Sequence, residues 1–72
     1  MINHYKNLGG NSSVIAYEIL PNAIKVCFKG GKWYSYSYAK AGRPHVEYMK
    51  KIADRGFGLC SYIQRTVRNL YD

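Results

Sequence analysis

The sequence predicts an α+β domain: a three-stranded antiparallel β-meander followed by two α-helices packed on one sheet face. Between Ser13 and Tyr38 apolar side chains recur at every second residue, as half-buried strands require. Pro21-Asn22 and Gly30-Gly31 interrupt that stretch where tight turns are needed. After Tyr38 the apolar spacing changes to that of a helix.

Each element has its own signals. Residues Met1 to Ser12 are polar, contain glycine and show no periodicity, so they are expected to form a flexible N-terminal arm ahead of a single domain over 13–72. Ile15, Tyr17 and Ile19 alternate in the first strand, and Pro21-Asn22 supplies the turn that follows. Ile24, Val26 and Phe28 then alternate with Lys25, Cys27 and Lys29, and the third strand runs from Lys32 to Tyr38. Pro44 suits a first helical turn, where its missing N–H costs nothing. Val46, Met49, Ile52 and Ala53 form one apolar stripe with Tyr48 on its flank. Glu47, Lys50, Lys51 and Asp54 lie opposite, spaced for Glu47–Lys51 and Lys50–Asp54 pairs, and Gly56 is a stop signal. A second helix starts near Gly58, with Leu59, Tyr62, Ile63, Thr66, Val67 and Leu70 on one side.

Composition narrows the function classes. A chain of 72 residues buries only about 60% of its unfolded surface, so its core is thin and its eight Tyr, two Phe and one Trp are needed to fill it. The formal charge of +7, from 11 Lys and Arg against four Asp and Glu, favours encounters with polyanions. No carboxylate pair is spaced for acid–base work, and a Cys60–His45 pair has nothing to orient it, so no enzymatic activity is expected. Cys27, Cys60, His4 and His45 show no metal-ligand spacing, and no cofactor is implied. No apolar run reaches membrane-spanning length and no signal-peptide pattern follows Met1, so a soluble, cytoplasmic protein with reduced thiols is expected.

Ser12-Ser13, Ile15, Tyr17, Ile24-x-Val26-x-Phe28, Gly31 and Tyr34-x-Tyr36 together resemble the KTSC domain. That family includes the C-terminal domain of some lysyl-tRNA synthetases and small free-standing bacterial and phage proteins. The resemblance covers about Ser12 to Ile63, with Tyr34 and Tyr36 matching the family's central Tyr-x-Tyr. The resemblance implies a role in RNA binding. The later part departs from the pattern, because Cys60 and Gln64 stand where the family has Asn and Arg.

The expected function is that of a small, non-catalytic nucleic-acid-binding module for RNA or another single strand. The candidate base-stacking rings are Trp33, Tyr34, Tyr36 and Tyr38. The candidate phosphate partners are Lys25, Lys29, Lys32, Lys40 and Arg43, with Arg65 and Arg68 as a second basic edge. The face that carries the tyrosines depends on register. A two-residue Gly30-Gly31 turn pairs Phe28 with Trp33 and sets the tyrosines beside the lysines. An odd loop length, such as three residues with a bulge, pairs Phe28 with Tyr34 and Val26 with Tyr36, which turns the tyrosines into the core and Trp33 outward.

The alternative function is a protein-interaction or homo-oligomerisation module of phage or bacterial origin. It would use open sheet edges and a face carrying Val14, Ala16 and Trp33.

Overall fold

The computed structural model describes residues 2–8, 10 and 12–71. Its sheet is antiparallel with strand order β1-β2-β3-β4, formed by Ile2–His4, Val14–Leu20, Ala23–Phe28 and Trp33–Ser37. Helix α1 spans Arg43–Arg55, and α2 (Leu59–Tyr62) runs on into a π-helical segment over Ile63–Val67. The α+β class and the meander over β2–β4 agree with expectation, but among the described residues the sheet has four strands where three were expected.

The additional strand lies in the segment expected to be a loose arm. Ile2, Asn3 and His4 pair with Glu18, Tyr17 and Ala16. No apolar alternation marks β1, because it is held by backbone hydrogen bonds at a sheet edge and Ile2 stays exposed. The chain beyond it is tied down at three points. Tyr5 is buried, and its hydroxyl accepts a hydrogen bond from the Leu59 N–H at 3.1 Å. The Leu8 N–H donates to the Gly56 carbonyl at 2.7 Å. The Lys6 side chain lies over Gly56.

Strand β2 does not keep the simple alternation its sequence suggests. Val14 pairs with Phe28 and Ala16 with Cys27, so Ile15 is an extra residue, a β-bulge. The bulge changes the phase of the strand. Val14 joins the core with Tyr17, while Ile15 and Ile19 are exposed. Val14 therefore does not share a surface with Trp33.

The β3–β4 turn settles the tyrosine question. The Phe28 N–H donates to the Lys32 carbonyl at 2.9 Å, leaving Lys29-Gly30-Gly31 as a three-residue loop. Gly30 and Gly31 have φ of +97° and +87°, a region that side chains disfavour. Val26 then faces Tyr34, Ile24 faces Tyr36 and Cys27 faces Trp33. This register is two residues away from the Phe28–Tyr34 pairing expected for an odd loop. A shift of two leaves every side chain on its face. Tyr36 is 2% exposed and sits in the core, whereas Trp33 points to the other face and is 42% exposed.

One layer of helix covers one face of the sheet. Val46, Met49, Ile52 and Ala53 of α1 pack with Ile24, Val26 and Tyr36, and Leu59, Ile63 and Val67 of the last helix complete the cluster. The opposite face carries the row His4, Ala16, Cys27 and Trp33, with Lys25 and Ser35 in the next row. Ala16 and Cys27 are buried there by larger neighbours without belonging to the main core. Glu47 pairs with Lys50 at 3.0 Å, in place of the Glu47–Lys51 spacing read from sequence.

Gly56 ends α1 at φ +80°, its N–H donating to the carbonyls of Ile52 and Ala53. A Cβ built there stands 2.5 Å from Lys6 Cβ, whereas one at Gly30 meets nothing within 4 Å. Gly30→Ala should therefore cost only the backbone penalty, about 1–2 kcal/mol. Gly56→Ala should cost more, because the β1–β2 connection must also move. Chemical denaturation of both variants checks this, and a Gly56→Ala loss no larger than that of Gly30→Ala would contradict the packing described.

Candidate nucleic-acid interface

The C-terminal turn brings an aromatic ring back to the sheet. Tyr71 sets its ring 4.8 Å from that of Tyr34 at 68°, and 6.5 Å from that of Tyr36 at 83°. Tyr34 in turn meets Phe28 edge-on at 5.6 Å and 75°. Such edge-to-face contacts match the positive rim of one ring to the negative face of the next. Together the rings form the floor and wall of a groove of about 390 Å³, with Lys29, Lys32 and Arg68 also lining it. No described Asp or Glu lines it.

The rings are not equivalent. Tyr36 is enclosed, and burial, followed by the neighbouring Tyr34 and Tyr71 hydroxyls, pushes its pKa up to about 12. It serves as floor and offers no free face. Tyr34 is half-buried between two rings, and Tyr71 is 41% exposed. Tyr71 is thus the most accessible ring of the groove. Sequence reasoning passed over it because nothing local indicates that the last turn folds back onto β4.

The eleven residues singled out from sequence fall into four places. Lys29, Lys32, Tyr34, Tyr36 and Arg68 come together at this groove. Lys25 and Trp33 lie on the opposite sheet face, since Lys25 pairs with Ser35 and Trp33 with Cys27. Tyr38, Lys40 and Arg43 lie at the corner between β4 and α1. There the Tyr38 hydroxyl donates to the Glu47 carboxylate, and Arg43 and Lys50 sit 5.6 and 5.4 Å from the centre of its ring. The hydrogen bonds from Tyr38 and Lys50 hold the Glu47 carboxyl below its ordinary range. Tyr38 is therefore committed to a local cluster. Arg65 lines a second cavity.

No protein-family model, curated protein or solved structure matches this chain. His45 Nδ1 and Tyr62 Oη are hydrogen-bonded at 2.6 Å, and Cys60 Sγ accepts from Gln64 Nε2 at 3.6 Å. The histidine and the thiol each have another partner. Among the described residues no three His, Cys, Asp or Glu side chains are grouped to hold a metal ion. No helix of the described residues is long and apolar enough to cross a membrane. What the groove does offer is cations, an accessible ring and no described carboxylate.

The raised Tyr36 pKa links stability to alkaline pH. Its neutral hydroxyl is the buried form, so the contribution is complete below the ordinary value of 10.0 and is lost as pH rises towards about 12. The unfolding free energy should fall across that window, and the fall should be shallower in Tyr36→Phe. An unchanged alkaline limb in Tyr36→Phe, followed by denaturant titration at each pH, would count against this burial of the hydroxyl.

Proposed function

We propose that this protein is a non-catalytic module that binds single-stranded nucleic acid, RNA first among the candidates, through the groove between β4 and the C-terminal turn. The observation that carries the proposal is the convergence of Lys29, Lys32 and Arg68 on a groove walled by Tyr34 and Tyr71. Cations hold phosphates without regard to sequence, and an accessible ring stacks any base. The resemblance to the KTSC domain adds support, because its Tyr34-x-Tyr36 signature lies in this groove. Such a role fits a cytoplasmic protein whose Cys27 and Cys60 are both free thiols.

A second reading, as a protein-interaction or self-association module, is favoured by one observation. The sheet face opposite the helices bears Trp33, 42% exposed, and Ile2, 59% exposed. A stable dimer in solution whose formation is abolished by Trp33→Ala would support it.

Three phosphate contacts predict that log K for a labelled single-stranded RNA falls with log salt at a slope of about −2, near 0.7 per contact. Tyr71→Ala should weaken binding by about 1–3 kcal/mol, the loss of one stacked base. Trp33→Ala, on the other face, should leave affinity unchanged. Absence of binding at low salt, or a loss with Trp33→Ala and none with Tyr71→Ala, would overturn this assignment.

A further inference from the structure

A second cavity of about 800 Å³ lies where the β1–β2 connection meets the α1–α2 junction. Arg55 and Arg65 line it together with Ser13, Tyr48 and Tyr62. No described Asp or Glu contributes to its wall. Tyr48 and Tyr62 pack ring against ring at 4.8 Å and 51°, and Tyr48 keeps a substantial exposed surface. Its chemistry repeats that of the groove: two cations, an accessible ring and no described carboxylate.

The two cavities adjoin. Gln64, in the π-helical segment, lines both. On the opposite bank, Ser13 of the larger cavity accepts a hydrogen bond from the N–H of Lys29, a residue of the smaller one, at 2.8 Å. Charge therefore runs from Lys29, Lys32 and Arg68 past Gln64 to Arg65 and Arg55. At two other places on the surface the pattern is different. At the β4–α1 corner Glu47 accompanies Arg43 and Lys50, and on the open sheet face Glu18 stands opposite Lys25.

We infer that the two cavities form one continuous track for a single strand, which enters at the hairpin loop and crosses Gln64 to a second phosphate site at Arg55 and Arg65. This rests on the groove as the primary site and extends it to a defined footprint. A strand of about four nucleotides fills the groove alone, while about twelve, within the usual range of single-strand site sizes, reach both ends. Gln64 offers an amide that donates and accepts, suited to a base edge at the crossing.

The test compares labelled uridine oligomers of about four and about twelve nucleotides. The proteins are the full chain, the exposed-surface variant Arg55→Gln/Arg65→Gln, and Lys25→Gln/Lys40→Gln as a control that removes equal charge elsewhere. On the long oligomer, Arg55→Gln/Arg65→Gln should make the log K against log salt slope shallower by about 1.4, two contacts at 0.7 each. Raising salt from about 50 to about 200 mM should then weaken the full chain roughly sevenfold more than the variant. The short oligomer should not distinguish these two proteins, and the control should track the full chain on both lengths. If the full chain binds the long oligomer and Arg55→Gln/Arg65→Gln behaves identically, the track is wrong and the groove stands. If the variant loses equally on both lengths, or the control loses as much, attraction is diffuse and the track is again wrong. If the full chain binds neither oligomer at low salt, groove and track fall together.

Discussion

The register of the β3–β4 hairpin is the constraint on which the rest of this structure depends. A loop of three residues, Lys29-Gly30-Gly31, places Tyr34 opposite Val26 and Tyr36 opposite Ile24. One residue fewer would exchange the two faces of β4, exposing the tyrosines and burying Trp33 and the serines. The core would then lose Tyr36, its largest fully buried side chain, and α1 would pack on Ser35 and Ser37. The left-handed φ values of Gly30 and Gly31 allow the loop to close with this length. Fold and candidate site thus have a common origin, because the alternation that seats Tyr36 in the core also turns Tyr34 towards Tyr71.

A second set of contacts joins the chain's early residues to its helix junction. Tyr5 caps the Leu59 N–H, Leu8 bonds the Gly56 carbonyl, and Lys6 lies across the glycine that ends α1. These contacts hold the turn from α1 to α2, and that turn directs the last helix across the sheet. The positions of Arg65, Arg68 and Tyr71 all follow from that direction. Tyr5 illustrates why so many tyrosines suit a small domain: the ring fills space while the hydroxyl satisfies a backbone donor at a helix start.

The net charge of +7 is not spread evenly in its effect. Glu47 is drawn into the cluster around Tyr38, where Arg43 and Lys50 neutralise it. Glu18 lies on the open sheet face opposite Lys25. The two cavities are left with lysines and arginines and no described carboxylate. The placement of Glu47 and Glu18 away from both cavities, more than the number of bases, therefore shapes where the positive field of the protein is strongest.

By itself the sequence determined the α+β class, strands β2 to β4 and α1 with its buried stripe Val46, Met49, Ile52 and Ala53. These are local matters, since periodicity and turn residues act over a few positions. It left open the face of the tyrosine ladder, because both loop lengths fit the same two glycines and only the packing of Ile24, Val26 and α1 distinguishes them. The Ile15 bulge and strand β1 were hidden for a similar reason: one is a local change of phase, the other an edge held by backbone bonds. Of the candidate site, Lys29, Lys32, Tyr34, Tyr36 and Arg68 were legible as charge and aromaticity. Only the tertiary structure joined them, added Tyr71, Arg55 and Gln64, and moved Trp33 and Lys25 to the far face. Proximity between residues distant along the chain is set by the crossing of helix and sheet, which no short stretch of sequence encodes.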